Sequence, residues 1–132
     1  SAVSFAMVRR SKLDMSVMGA FEVDQKGNLA NWKIPGKFSP GIGGAMELAQ
    51  KTRNILILCT HQDKYGNSKI LKECTLPLTA ERCVSRIITD MAVMDVTTDG
   101  LILREIAAGL TIEEVVQATD ASLILAETLG EF

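Results

Sequence analysis

The feature that most restricts the fold is a segment of breaker residues between Ile34 and Gly44. It contains the pair Pro-Gly twice and ends in Gly43-Gly44, a density that rules out a regular helix or strand. From Ala45 to Thr52, small and apolar residues recur at helical spacing, which predicts a short amphipathic helix beginning at about Gly44. We therefore predict a structured loop that runs directly into a helix.

Short apolar runs on both sides of this loop predict strands. In residues 15–23, apolar positions 15, 17, 21 and 23 share one face of a strand, and positions 18 and 20 keep the other face largely apolar, which predicts a central strand covered on both sides. A turn cluster at residues 24–28 then joins this strand to a partner at residues 29–32, as in a hairpin. Residues 54–60 read as a buried strand.

The middle of the chain is less regular. Residues 61–83 mix turn signals with one polar-apolar run, and they predict a long excursion with a strand at residues 69–74. Residues 84–96 are rich in Val, Ile and Met, and an Asp-Gly pair separates them from the apolar run 101–106. This arrangement is a hairpin signal.

A helix is predicted near the end of the chain. Thr111 with Glu114 three residues later forms a capping box, and the apolar face that follows predicts a helix ending near Thr119. Strands alternate with helices early and form a hairpin late, so the predicted class is α/β, with an open mixed β-sheet flanked by helices. With 132 residues, 47% of them hydrophobic, we expect residues 1–132 to form a single domain.

Composition excludes several functions. Charged residues make up 23% of the chain and the net charge is -2, so no strong field is present to recruit nucleic acid or an anionic membrane. The longest apolar run, residues 55–59, is far too short to span a bilayer. We expect a cytoplasmic protein, or a mitochondrial matrix protein if the source is eukaryotic. The chain opens at Ser1 without an initiator methionine, so we expect a preceding segment.

Metal binding is not predicted. The three cysteines, Cys59, Cys74 and Cys83, form no Cys-x-x-Cys pair, and the single histidine, His61, cannot complete a zinc site. The cysteines are predicted to be small apolar side chains, with at most one exposed thiol. His61 follows a strand and is either a general acid or base, or a structural hydrogen-bonding group.

The glycine-rich loop is the best candidate for chemistry. Glycines let a ligand approach the backbone closely, and the first amides of a helix point outward unpaired with partial positive charge. Such a place holds a phosphate or the oxyanion of an acyl-transfer intermediate, or else is simply a tight loop packed on a strand. Lys37 is either a partner for an anion or a solvated side chain. Asp14, Glu22 and Glu47 show no spacing that pairs two carboxylates.

Six strings stand in order along the chain: Ser4-Phe5-Ala6-Met7-Val8-Arg9, Gly27-Asn28-Leu29-Ala30-Asn31-Trp32, Ile34-Pro35-Gly36-Lys37, Gly43-Gly44-Ala45-Met46, Cys74-Thr75-Leu76-Pro77-Leu78-Thr79 and Arg86-Ile87-Ile88-Thr89. Together they resemble the second half of the glutamate-type beta chain of family I coenzyme A transferases, such as the 3-oxoacid and acetate/butyrate enzymes. The resemblance covers nearly the whole chain and thins after about Thr119.

The resemblance implies a ping-pong transfer of coenzyme A through a glutamyl-CoA thioester, with coenzyme A as a substrate and no other cofactor. In the family, the glutamate lies in a Ser-Glu-Asn-Gly string upstream of everything present here, and this sequence contains no such string. The expected substrates are an acyl-CoA and a short carboxylic acid such as a 3-oxoacid. The alternative is a noncatalytic binding or assembly remnant of the same fold.

The resemblance also assigns residues and partners. The backbone amide of Gly44 would stabilise the oxyanion, and Gly43 and Ala45 would line the acyl site. Lys37, from its place within the loop, is the candidate residue for binding substrate or coenzyme A. An alpha subunit or N-terminal half would complete an oligomeric enzyme, and the fold would be the one shared with ribose-phosphate isomerases. A departure from the family pattern at Phe38-Ser39, where Met-Val is common, bears on the acyl substrate rather than on the reaction.

Overall fold

The structure, a computed structural model, describes residues 5–10, 13–31 and 54–132, with side chains from residue 15 onward. These residues form ten strands and one helix, α1 (Ile112–Gln117). The strands are β1 (Phe5–Arg10), β2 (Leu13–Met18), β3 (Glu22–Asp24), β4 (Leu29–Ala30), β5 (Ile55–Leu58), β6 (Ile70–Leu71), β7 (Val84–Ile88), β8 (Ala92–Thr97), β9 (Gly100–Ile106) and β10 (Leu123–Glu131). The predicted loop at residues 34–44 and the helix after it lie outside the described residues.

Seven strands form a mixed sheet in the order β1-β2-β5-β7-β8-β9-β10. The β2/β5, β5/β7 and β9/β10 pairs are parallel, whereas β1/β2, β7/β8 and β8/β9 are antiparallel. The predicted α/β class with a mixed sheet is confirmed. A smaller sheet of three strands, in the order β4-β3-β6, stands apart from it and was not predicted.

The core is built on one face of the large sheet. Five side chains stand opposite one another across β2, β5, β7, β8 and β9, and each is at most 1% exposed: Met18, Ile57, Ile87, Met94 and Leu103. Because burial of each such side chain contributes about 1.5–3 kcal/mol, this row is a major source of stability. It fixes the register of the central strands, since a slip by one residue would turn the row toward the opposite face.

The prediction of one strand over residues 15–23 is wrong. The chain leaves the large sheet after Met18, passes Gly19 and Ala20, and enters the small sheet as β3. Apolar residues continue from β2 through the crossing into β3, so the sequence pattern alone does not reveal a change of sheet. The predicted hairpin is confirmed, with β3 paired antiparallel to β4.

Two turns of this region share the sequence Asp-x-x-Gly-Asn. In the first, Asp24 Oδ1 accepts the backbone N–H of Asn28 at 3.1 Å; in the second, Asp63 Oδ1 accepts that of Asn67 at 2.9 Å. The glycine of each turn has a positive φ, +83° and +85°. The aspartate carboxylate therefore closes the turn while the glycine supplies the left-handed conformation.

The apolar run 84–96 is two strands rather than one. β7 and β8 are antiparallel, and the chain reverses at Thr89, whose hydroxyl accepts the backbone N–H groups of Met91 and Ala92 at 3.0 and 3.1 Å. Sequence reasoning missed this turn because it contains neither Gly nor Pro. The next hairpin, predicted from Asp-Gly, is confirmed as β8/β9.

The capping box of α1 is also confirmed. Thr111 Oγ1 accepts the backbone N–H of Glu114 at 3.1 Å, and the Glu114 carboxylate accepts that of Thr111 at 3.0 Å. The helix buries Val115 against the sheet and ends at Gln117, two residues before the predicted end. Within the described ranges, no helix has the length and apolar character needed to cross a bilayer.

Candidate functional site

The four residues assigned to the site from sequence lie outside the described residues, so their roles stay predictions: Lys37, Gly43, Gly44 and Ala45. The structure does describe both ends of the segment that carries them. The chain leaves the small sheet at Asn31, directly after β4, and re-enters the described part at Asn54, directly before β5.

Asn31 is held at the first end by a buried threonine. Its backbone N–H donates to Thr79 Oγ1 at 3.1 Å, and the Thr79 hydroxyl donates to Asn31 Oδ1 at 2.7 Å. The Asn31 side-chain amide lies 3.8 Å from Met18 Sδ, at the carboxyl end of β2. β2, β5 and β7 are mutually parallel, and ligand sites of α/β sheets lie at the carboxyl ends of such strands. Asn31, the last described residue before the glycine-rich segment, therefore lies at the edge of the sheet where a ligand is expected.

Asn54 is held equally well at the second end. Its carbonyl accepts the backbone N–H of Ser16 at 3.2 Å, and its side-chain Oδ1 accepts the Ser85 hydroxyl at 2.8 Å. These bonds tie Asn54 to β2 and β7, the two neighbours of β5. The segment is thus anchored to a different sheet at each end.

His61 is a structural residue. It is fully buried. The Thr119 hydroxyl lies 2.7 Å from Nε2 and donates its own proton to the Val115 carbonyl at 2.6 Å. The hydroxyl oxygen therefore accepts the proton of Nε2. Nδ1 lies 2.8 Å from Thr89 Oγ1, which can donate to it. Burial lowers the pKa of His61, and nearby Asp90 offsets part of that effect. Because the ring is neutral and both nitrogens are hydrogen-bonded to hydroxyl groups, His61 is not available as a general base. The structure therefore supports its role as a structural hydrogen-bonding group.

The lowered pKa of His61 makes stability depend on pH. Because the unfolded chain binds a proton more readily, His61 stabilises the fold above its ordinary pKa of about 6.5, and this contribution falls as pH decreases from 6.5 toward the folded pKa. We expect the melting temperature of the wild type to fall as the pH is lowered from 7.5 to 5.5. The His61→Gln variant should have a lower melting temperature at pH 7.5, and its melting temperature should change less over the same pH range. Melting curves measured at four pH values test this, and an equal slope in both proteins would contradict it.

Two described carboxylates, Glu22 and Asp24, serve the fold. Glu22 accepts the backbone N–H groups of Thr75 and Leu76 at 2.7 and 2.8 Å and the Thr75 hydroxyl at 2.6 Å. Buried Asp24 accepts the Cys74 backbone N–H at 3.1 Å in addition to closing its turn. Both side chains hold the segment after β6 against β3, so neither is free to attack a substrate. The side chains of Asp14 and Glu47 lie outside the described part.

Two of the cysteine thiols, those of Cys59 and Cys74, are poor nucleophiles. Burial raises the pKa of Cys59 to about 11, and it also raises that of Cys74, with Asp24 and Glu22 adding to the effect. Cys83 is 1% exposed, and none of the three cysteines forms a disulfide bond. Since the thiolate is the nucleophile, protonated thiols of this kind are not nucleophiles at neutral pH. Among the described side chains, no group of three or more His, Cys, Asp or Glu is placed to hold a metal ion.

Comparison with known proteins decides the family. The family model described as "Coenzyme A transferase" matches residues 1–118, which include the glycine-rich loop and both of its anchored ends. The chain belongs to the coenzyme A transferase family. The resemblance found from the six strings is thereby confirmed.

Among curated relatives, this coenzyme A transferase chain is 48% identical over 93% of its length to the beta chain of a probable coenzyme A transferase of Bacillus subtilis. It is 43% identical over 98% of its length to one chain of the probable succinyl-CoA:3-ketoacid coenzyme A transferase of the same organism. The chain spans 57% and 60% of these two relatives, respectively.

A solved structure has the same fold as this family member. The acyl-CoA transferase of E. coli O157:H7, in a thioester complex with CoA, superposes with a TM-score of 0.71 at 25% identity. The match covers 88% of this chain and 27% of that one. The coenzyme A transferase fold predicted from the resemblance is confirmed.

One open groove, of about 450 Å³, does not suit a coenzyme A transferase site. It lies beside α1 and is lined by Gln62, Met91, Leu110, Glu113, Glu114, Gln117 and Ala118. None of these lining residues is a lysine or arginine, whereas coenzyme A carries phosphates that require positive charge or free amides. Two carboxylates among the lining residues would repel these phosphates, so this groove is a poor candidate for a coenzyme A site.

Proposed function

We propose that this chain is part of the beta chain of a transferase that moves coenzyme A from an acyl-CoA to a carboxylic acid, with a 3-oxoacid as one of the acids. The observation that carries the proposal is the family match over residues 1–118, which runs through the glycine-rich loop. The 3-oxoacid is suggested by the name of a relative that is 43% identical. The enzyme works in the cytoplasm, or in the mitochondrial matrix of a eukaryote.

The nucleophile is a glutamate encoded upstream of Ser1. Its carboxylate attacks the thioester carbon of the acyl-CoA and expels the coenzyme A thiolate, which leaves an acyl-glutamyl anhydride. The thiolate then attacks the glutamyl carbonyl, the first carboxylate departs, and a glutamyl-CoA thioester remains. The second acid reverses these steps and leaves as its own coenzyme A thioester, which restores the glutamate.

The glycine-rich loop supplies electrostatic stabilisation. The backbone amide of Gly44 donates to the oxyanion that forms when the carboxylate attacks, with Gly43 and Ala45 beside the acyl group. Lys37 holds an anionic group of the substrate or of coenzyme A. Anchors at Asn31 and Asn54 support these roles, because a rigid frame is needed to hold a donor in place before the charge develops.

An alpha subunit, or an N-terminal half of the same polypeptide, completes the enzyme. Relatives of this chain are named as single subunits of coenzyme A transferases, which supports a partner of this kind. We propose that residues 1–132 act as one domain within that assembly.

Coenzyme A exchange tests the function. The complete beta polypeptide, purified together with its alpha partner, is mixed with succinyl-CoA and acetoacetate, and new acyl-CoA is followed by chromatography. We expect exchange that needs both the acyl-CoA and the acid, and no metal or other cofactor. Lack of exchange with these and with acetate and butyrate pairs, despite an upstream Ser-Glu-Asn-Gly segment, would contradict the proposal. Absence of that segment would favour the noncatalytic remnant.

A further inference from the structure

The contact between Asn31 and Thr79 is a reciprocal, fully buried pair. Asn31 is 5% exposed and Thr79 is 2% exposed, and the two hydrogen bonds between them run in opposite directions. A threonine hydroxyl that accepts one bond and donates the other fixes both the backbone and the side chain of its partner. Loss of the hydroxyl would leave two buried polar groups of Asn31 without these partners, which is costly in a dry environment.

Thr79 is itself well placed to act as an anchor. Its backbone N–H donates to the Leu29 carbonyl at 2.6 Å, and Leu29 N–H donates to the Ala80 carbonyl at 3.0 Å. Leu29 and Ala80 thus form a bridge beside β4. Four residues earlier, Thr75 is clamped by the Glu22 carboxylate. The Thr79 hydroxyl therefore projects from backbone that is fixed on both sides.

The Asn31 amide also bridges the two sheets. Nδ2 lies 3.8 Å from Met18 Sδ, and Met18 is 1% exposed within the core row of the large sheet. A thioether is a weak acceptor, so Thr79 supplies the stronger orientation of the amide. The side chain of Asn31 thus stands between the core of the large sheet and the small sheet, three residues before the glycine-rich loop begins.

We infer that Thr79 is a positioning residue for the transfer reaction: through Asn31, it fixes the point and direction from which the glycine-rich loop starts. This inference rests on the proposed function of Gly44. Catalysis by a backbone amide depends on placement, and misplacement by about 1 Å costs on the order of 100-fold in rate. Thr79 touches neither substrate nor reacting atoms in this role and acts entirely through the chain.

The test compares two buried threonine hydroxyls in the complete enzyme. Thr79→Val removes the anchor with little change in volume, whereas Thr119→Val, also buried, removes a hydroxyl bonded to His61. We expect Thr79→Val to lower kcat for coenzyme A exchange by about tenfold, with KM for the acyl-CoA and for the acid nearly unchanged. Thr119→Val should lower the melting temperature similarly but keep kcat within about twofold of the wild type. Thr79→Ser, which retains the hydroxyl, should restore most of the turnover.

Asn31→Ala examines the same contact from the other side and serves if Thr79→Val does not fold. We expect the two substitutions to be non-additive, with the Asn31→Ala/Thr79→Val enzyme no slower than the slower single variant, because both remove one contact. Hydrogen exchange of amides in residues 32–44 adds a measurement independent of activity, and Thr79→Val should accelerate it where Thr119→Val does not.

These outcomes separate the inference from the function on which it rests. The positioning role of Thr79 is overturned if the wild type exchanges coenzyme A and the two valine variants lose kcat equally. It is also overturned if amide hydrogen exchange in residues 32–44 is equal in the two variants. If the wild type shows no coenzyme A exchange, the proposed function fails. In that case, faster amide exchange in Thr79→Val alone supports the anchor, and unchanged amide exchange refutes it.

Discussion

In the complete enzyme, Gly44→Val is expected to lower coenzyme A exchange by about 100-fold, the scale of effect seen when an oxyanion donor is lost. A β-branched side chain at this position would restrict the backbone and obstruct the close approach of the substrate. Gly44→Ala should give an intermediate loss because its side chain is smaller. Initial rates at saturating acyl-CoA and acid measure the effect, and melting temperatures of all variants establish that they remain folded.

Gly66→Val is the matched control for this prediction. Gly66 lies in an exposed turn and a Cβ there would meet no atom within 4 Å, so the substitution adds the same side chain far from the proposed chemistry. It should cost some stability through its positive φ but keep turnover within about twofold of the wild type. A folded Gly44→Val enzyme with wild-type turnover would remove Gly44 from the mechanism.

Gly27→Ala is expected to destabilise the fold by about 3 kcal/mol, through backbone strain and overpacking together. Gly27 has φ of +83°, and a Cβ would lie 2.9 Å from the Val84 carbonyl oxygen and 3.3 Å from Val96 Cγ1. The Gly27 carbonyl also accepts the backbone N–H groups of Cys83 and Val84, so the turn cannot move away without breaking two bonds. Urea unfolding of the purified protein measures the change.

Gly66→Ala provides the comparison because the two turns share the same Asp-x-x-Gly-Asn sequence. Gly66 has φ of +85°, nearly the same as Gly27, but open space surrounds its Cβ position. It should therefore show the conformational cost alone, about 1 kcal/mol. Equal losses at the two glycines would mean that close packing of the first turn on β7 contributes nothing.

Local signals in the sequence predicted local structure well. The capping box at Thr111 needs a partner only three residues away, and the Asp-Gly pair before β9 carries its own turn chemistry. Both predictions are confirmed. The prediction of one strand over residues 15–23 failed because the apolar residues continue without a break from β2 of one sheet into β3 of the other. The reversal at Thr89 was missed because a side-chain hydroxyl, rather than Gly or Pro, closes it.

The contacts around the candidate site were beyond sequence reasoning for a different reason. Thr79 and Asn31 are 48 residues apart, and His61 and Thr119 are 58 residues apart, so no spacing rule links them. The string ending at Thr79 carried the family resemblance, but its hydroxyl had no predicted role. The sequence did indicate the family, through the six strings and the glycine-rich loop among them. The family match over residues 1–118 confirms that prediction.

We propose that the complete beta polypeptide, of which this chain is a part, carries coenzyme A covalently during turnover. The most direct test of this proposal is the intact mass of the complete beta polypeptide, in complex with its partner, after brief incubation with an acyl-CoA and rapid denaturation. The account predicts a gain equal to one coenzyme A in thioester linkage, removed by a second carboxylic acid and absent when the upstream glutamate is changed to alanine. An unchanged mass in an enzyme that still exchanges coenzyme A would contradict the glutamyl-CoA mechanism.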